Sequence, residues 1–254
     1  MPFLIKSPSL YAHCRGERPS EDVDGDPLPK LQIAGDVAVI PIIGVLMLNV
    51  PAWVKSYGFR VTDANDIGEE LDRASRDPAV SLIALDLDSP GGWAIAGNKL
   101  FELVEAAARR KPVMAWCGDG NQCCSAAYAA AAPARLIYAG KHAMAVGCIG
   151  SYLALLDDSE YWKMMGIKWE VLRSGDLKGI GEDAISPEQR AWLQSIVDAA
   201  GAHFRRNVRK YRTEIPDSEM QGQYYTGEES ARRGFVQGLA PDLSSAIARF
   251  RKLI

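Results

Sequence analysis

Two apolar runs constrain this chain most. Val37–Val45 (VAVIPIIGV) and Ser81–Leu87 (SLIALDL) are short, aliphatic or β-branched, and bounded by turn residues. That is the signature of strands buried inside a sheet. Between them, Ala64–Ser75 sets Ile67, Leu71 and Ala74 on one helical face. Ile95–Arg110 spaces Leu100, Leu103, Val104 and Ala107 at helical intervals and is closed by Pro112. Val113–Cys117 and Leu136–Ala139 read as further strands, Leu155–Met165 as a helix stopped by Gly166, and Lys168–Leu172 as an alternating strand. Pro187–Tyr211 is the clearest helix. Ser186 and Gln189 form a capping box, Pro187 takes the first helical position, and Trp192, Leu193, Ile196, Ala200, Phe204 and Val208 line one face. Strand-like and helix-like segments in alternation predict an α/β layered fold with largely parallel strands.

Composition narrows the function classes. At 254 residues, 48% hydrophobic and 24% charged, the chain has apolar material for a sizeable core. Its 29 Lys+Arg against 32 Asp+Glu leave a net charge of -3, so no basic excess exists to displace counterions from a nucleic acid. Five cysteines make an odd set without a repeated C-x-x-C. Cys123 and Cys124 are adjacent, which suits neither a zinc knuckle nor a bridge between them. The thiols read as reduced and the protein as cytoplasmic. The longest apolar run, Val37–Leu48, is broken by Pro41 and Gly44 and falls short of the ~18 residues of a spanning helix. The N-terminal stretch lacks the charged start and unbroken apolar core of a signal peptide. Residues 15–30 are charged and rich in Pro and Gly, so residues 1–35 are expected to be a flexible lead-in and 36–254 a single domain.

Three segments carry candidate chemistry. Asp88-Ser89-Pro90-Gly91-Gly92 follows the second apolar run and precedes a helix. The bland interpretation is a strand-to-helix turn, and the functional one is a set of outward backbone N–H groups facing a developing negative charge. Cys123-Cys124-Ser125 then runs into an alanine-rich stretch, placing a serine where a helix begins. Serine is a common N-cap, yet the tiny residues after it also leave a hydroxyl accessible. In Arg173-Ser174-Gly175-Asp176-Leu177-Lys178-Gly179-Ile180-Gly181, a lysine sits between two aliphatic residues. An exposed lysine is the default. One desolvated against Leu177 and Ile180 has a lowered pKa and acts as a base, although reaching ~7.5 takes about 3 units, roughly 4 kcal/mol. Asp176, Glu182 and Asp183 oppose that shift if they face the amine.

As an ordered trio, SPGG, Ser125 opening a small-residue helix, and SGDLKGIG resemble the signal peptide peptidase A family of serine peptidases. The similarity runs from about Asp36 to about Leu239 and takes in DVAVIPIIGVL, RLIYAG with GCIG after it, and YTGEESARRGFVQG. It implies a caseinolytic protease/crotonase-like α/β fold of repeated β-β-α units, here with a single catalytic unit. It also implies a Ser–Lys dyad with Ser125 as nucleophile and Lys178 as general base. Gly92, together with Gly91, and the N–H of Ala126 match the oxyanion donors. Neither a metal nor another cofactor is implied. Where the family usually has Ser-Gly-Gly this chain has Ser125-Ala126-Ala127, which keeps the space small. Where it usually has Gly-Ser-Ile-Gly this chain has Gly147-Cys148-Ile149-Gly150, so a thiol, a weaker hydrogen-bond partner, takes the place of a lysine-supporting serine, with Ser151 as a substitute.

PFLIKSPSLYA and IPIIGVL resemble the soluble phage and prophage members that act in head maturation. That resemblance implies polypeptide substrates such as scaffold or capsid proteins, and a location in the host cytoplasm or the prohead. It also implies a homo-oligomeric ring whose active sites are shared between subunits, with no membrane or nucleic-acid partner. A cytoplasmic bacterial member that degrades peptides is the alternative within the family. Outside it stand a caseinolytic-type Ser–His–Asp peptidase using His142, a crotonase-like acyl-CoA enzyme and a non-catalytic scaffold subunit.

Overall fold

The computed structural model describes residues 30–56, 59–168 and 170–254. The expected lead-in therefore lies almost wholly outside the described residues, and Gln32–Ala34 at its end form a strand. In chain order the elements are β1 (Gln32–Ala34), β2 (Val37–Met47), α1 (Ala52–Ser56), β3 (Val61–Asp63), α2 (Ala64–Arg76), β4 (Leu82–Gly92) and α3 (Ala94–Ala108). Then come β5 (Val113–Cys117), β6 (Gln122–Cys124), α4 (Ala126–Ala131), β7 (Leu136–Ala139), β8 (Ala145–Gly147), α5 (Ser159–Met164) and α6 (Pro187–Arg209). β9 (Tyr224–Tyr225), α7 (Gly227–Arg232), β10 (Gly238–Leu239) and α8 (Leu243–Arg251) complete the chain. Two compact units emerge: residues 30–150 with 202–254, and residues 151–201.

In the larger unit β4 is the organising strand. Along one edge it pairs in parallel with β2. Along the other it pairs with β5 from Ile83 to Leu87, then with β6 at Ser89. β5 continues to β7 and β10, and β6 to β8 and β9, so β4 feeds two ladders. Chain order follows: a strand in the first ladder, a strand in the second, then a helix. β5-β6-α4 is such a β-β-α unit, and β4 with α3 is another in which one long strand spans both ladders.

The unbroken apolar runs follow from this architecture. Ile83, Leu85 and Leu87 face a core built with Ile67 and Leu71 of α2, Leu100 and Val104 of α3, and the alanines of α4. Leu82 and Ala84 face the other way, against Ala246 and Phe250 of α8. A parallel sheet covered on both faces has no polar side to alternate with.

Several boundaries differ from the sequence reading. Asp88–Gly92 is extended strand, not a turn, because β4 runs on to its second ladder. The helix expected from Leu155 begins at Ser159, whose N–H and hydroxyl both donate to the Asp157 carboxylate at 3.1 and 2.6 Å. The described residues of Lys168–Leu172 lie in no strand. The capping box of α6 is formed, with Ser186 N–H to Gln189 Oε1 at 3.1 Å and Gln189 N–H to Ser186 Oγ at 3.2 Å. No helix among the described residues is long and apolar enough to cross a membrane.

Candidate active site

Ser125 lies between β6 and α4. Its N–H donates to the Gly147 carbonyl at the end of β8 (2.8 Å), and its own carbonyl accepts from Ala129 (2.9 Å). Anchored from both sides, the residue takes φ 52°, ψ -121°, a region that L side chains rarely occupy. The residue stands at the N-cap position, yet its side chain makes no capping hydrogen bond. The ordinary reason for a serine there is thus absent, and the strain leaves a half-buried hydroxyl unspent.

The end of β4 lies against this serine. A Cβ on Gly91 would fall 2.6 Å from Ser125 Cβ, 2.8 Å from the Cys124 carbonyl and 3.0 Å from the Ala126 nitrogen, and Gly91 has φ 99°. Only glycine fits there. At Gly92 an added Cβ would meet the Leu46 carbonyl oxygen at 2.0 Å, so the second glycine is needed for contact with β2. Trp93 N–H donates to the Leu46 carbonyl (2.8 Å). Successive N–H groups of a strand point to opposite edges, so Gly92 N–H points away from β2. Gly91 N–H is differently placed: it donates to Ser89 Oγ at 3.1 Å. The two glycines grouped together in the sequence therefore have separate parts, Gly92 with an N–H facing away from β2 and Gly91 with the space beside the serine.

Ser89 is the residue that sequence reasoning missed. It is fully buried, accepts from Gly91 N–H and donates to the Gly44 carbonyl at 2.6 Å. Gly44 lies in the bulge of β2 between Ile43 and Val45, where the ladder to β4 is interrupted and Pro90 offers no N–H. The serine hydroxyl closes that gap. The available signal was a lone small polar residue entering Pro-Gly-Gly from an apolar strand. Asp88 adds a second tie, accepting from Gln122 N–H at 3.2 Å while paired with Arg60 at 2.6 Å.

After Ser125, Ala126–Ala132 are all buried, and a Cβ on Gly97 of α3 would meet Ala126 Cβ at 2.8 Å. Small residues on both helices permit that approach. The thiols beside the serine are poor nucleophiles. Burial pushes Cys117 and Cys123 well up, and it pushes Cys124 up to about 12, with Cys148 adding to it. All four described cysteines are free. Cys148 follows Gly147 and is half-buried with φ 55°, its N–H donating to the Gln223 carbonyl at 2.6 Å. Burial raises its thiol as well.

In the 151–201 unit, Lys178 sits in a turn with its N–H donating to Gly175 (2.9 Å), and it is exposed, with Leu177 42% exposed beside it. Of its acidic neighbours, Asp183 pairs with Arg173 at 2.8 Å; the backbone carbonyl of Asp176 accepts from Gln189 Nε2 at 2.5 Å. Gln189 is buried, so one side chain caps α6 and ties down the lysine loop. Ser151, half-buried, begins this unit. His142 is exposed in a turn of the larger unit, its N–H donating to Asp119 Oδ1 at 2.8 Å and its carbonyl accepting from Gly120. No group of three or more His, Cys, Asp or Glu able to hold a metal occurs among the described residues.

Repeated β-β-α units feeding two largely parallel ladders place the chain in the caseinolytic protease/crotonase-like class of α/β proteins. The chain belongs to peptidase family S49, whose model matches residues 105–253. Protein MJ0651 of Methanocaldococcus jannaschii is 32% identical over 65% of this chain and 54% of its own length. The capsid assembly protease C of Escherichia phage lambda is 28% identical over 82% of this chain and 47% of its own. The head-tail preconnector protein GP5 of Enterobacteria phage P21 is 28% identical over 85% and 42%. The chain spans about half the length of these curated relatives.

Proposed function

We propose that this chain is a serine endopeptidase in which Ser125 is the nucleophile and Lys178 the general base. The observation that carries this reading is Ser125 itself, an N-cap serine in a strained conformation that does not cap, beside a glycine no other residue can replace. Lys178 as a neutral amine takes the proton from Ser125 Oγ, and Oγ attacks the carbonyl carbon of a peptide bond. The oxyanion is held between the N–H groups of Gly92 and Ala126. Protonated Lys178 then gives its proton to the leaving amine, and water, activated by the same lysine, releases the acyl-enzyme. Cys148 and Ser151 are the groups that hold the lysine. Neither metal nor cofactor takes part.

Lys178 is exposed, so its desolvation has to come from assembly. We assign that role to a homo-oligomeric ring in which one subunit's lysine serves its neighbour's serine. Supporting this are the exposed apolar side chains of the 151–201 unit, among them Leu172 at 89% and Met164 at 80% exposed, more than a solvated surface needs. Two relatives named for capsid assembly and the head-tail preconnector support scaffold or capsid polypeptides inside a prohead as substrates.

Fluorophosphonate labelling tests the chemistry. Wild type is expected to label at Ser125 and Ser125→Ala not at all. Lys178→Ala should label slower by a factor of about 10² to 10⁴, the usual worth of a general base. A folded ring that does not label, or a Lys178→Ala variant that labels at the wild-type rate, refutes the dyad.

A further inference from the structure

Away from the serine turn, the larger unit carries a second feature that the peptidase reading does not use. A groove of about 470 Å³ opens between the end of α3, the start of β5, the segment joining α4 to β7, and Tyr211–Arg212 after α6. Val113 in its lining pairs with Ile83 of β4, whereas Ser89, toward the Ser125 end of β4, pairs with Cys123. The strand from Ile83 to Ser89 covers about 20 Å, so the groove is at the opposite end of the sheet.

Arg109, Arg110, Lys111, Arg135 and Arg212 line this groove against one acid, Glu105. That is a local concentration of positive charge in a chain whose net charge is -3. Three of the cations are already engaged. Arg109 shares Glu105 with Lys210 and the Tyr211 hydroxyl, Arg110 reaches Asp72 and Ser75 at 3.3 Å each, and Lys111 Nζ donates to the carbonyls of Ala74 and Asp77. The other two form no salt bridge among the described residues. Arg135 is exposed and donates to the Leu253 carbonyl at 3.1 Å. Arg212 is only 3% exposed and donates to the Ala134 carbonyl and to Gln237 Oε1, while its buried Nε has no partner. Burial lowers its pKa, opposed by Tyr128 and Glu214 acting through space. A guanidinium withdrawn from water with no carboxylate in salt-bridge contact is expensive, and native proteins pair such charges closely.

We infer that the groove is a binding site for a phosphate-bearing small molecule, with Arg212 and Arg135 as its principal contacts. Its volume falls in the range of small-molecule sites, roughly 300–1,000 Å³. Planar guanidinium forks match the oxygens of a phosphate, and two guanidiniums that carry no carboxylate salt bridge, flanked by further cations, suit a dianion better than one carboxylate.

Thermal unfolding and calorimetric titration of the full chain test this, with inorganic phosphate, pyrophosphate and acetate added at constant ionic strength. The expected result is a saturable rise in Tm with phosphate and pyrophosphate and none with acetate. Arg135→Ala, on the exposed rim, should raise the pyrophosphate Kd about tenfold without moving the ligand-free Tm. Arg212→Lys should weaken binding at least as much. Should that buried variant not fold, an Arg109→Ala/Arg135→Ala pair on the surface takes its place. Absence of any saturable response, or an unchanged Kd in the Arg109→Ala/Arg135→Ala variant, overturns the proposal. An equal response to acetate also overturns it, in favour of a carboxylate ligand.

Discussion

At the scale of single residues, strain at Ser125 and freedom at Gly91 are one feature. A non-glycine residue held at φ 52° costs of order 1–3 kcal/mol, offset by the hydrogen bonds that grip Ser125 from Gly147 and Ala129. Ser89 fixes the opposing backbone through Gly44 and Gly91. Gly91→Ala puts a methyl group 2.6 Å from Ser125 Cβ at a φ that alanine resists. The expected outcome is a labelling rate lower by about 10² to 10³, the scale of a lost oxyanion-hole donor, with the fold retained. Circular dichroism beside fluorophosphonate kinetics checks both halves. An unimpaired labelling rate would remove Gly91 from the site. Sequence placed the small residues here correctly but left Ser125 open between cap and nucleophile, since a backbone dihedral leaves no mark in residue type. Lys178 presented the same difficulty, because whether a lysine is desolvated depends on what packs over it.

Elements were legible where a period or an apolar run had length to express itself. β2, β4, β5, β7, α2, α3 and α6 qualify. β6 and β8, three residues each, have no room for a pattern and exist because each supplies a strand to the second ladder. Pro-Gly-Gly suggested a turn, yet β4 passes through it because β2 bulges at Gly44 and the Ser89 hydroxyl donates to the Gly44 carbonyl where Pro90 has no N–H to give. The start of α2 was set by a residue the helical spacing did not include. Asp63, 5% exposed, accepts from Asn65 N–H at 3.0 Å as cap and from Val50 N–H at 2.7 Å, tying the loop after β2 to the helix. Asp63→Ala is expected to lower stability by about 2 kcal/mol in urea unfolding, through the lost cap and an orphaned buried N–H. Burial pushes the Asp63 carboxyl up, but the N–H groups of Asn65 and Val50 and the Lys55 charge outweigh it, and the net pKa is lowered. A folded-state value below the unfolded ~3.9 means the stabilisation is full above that pH and is lost as pH falls through the folded value. The stability gap between wild type and Asp63→Asn should therefore narrow on acidification below about pH 4. A gap that widens would contradict the assignment.

At the scale of the whole molecule, the two halves of the proposed dyad belong to different compact units, Ser125 to the larger one and Lys178 to residues 151–201. A chain that carries its nucleophile on a buried sheet and its base on an exposed, apolar-rich loop suits head-to-tail assembly, in which one face of each copy meets a different face of the next. Such a ring makes a prediction that a self-contained active site does not. Ser125→Ala retains the lysine and Lys178→Ala the serine, and each variant alone should be inactive. Mixed equally and reassembled, about one junction in four joins an intact serine to an intact lysine, so about a quarter of wild-type turnover returns. Native mass spectrometry establishes that the rings are mixed, and cleavage of a fluorogenic peptide or a candidate scaffold protein measures turnover. If both groups must come from one chain, no mixed junction is complete and activity stays at the background of the single variants. Mixed rings without activity would place the dyad within the subunit, and an active wild-type monomer at assay concentration would dispense with the ring.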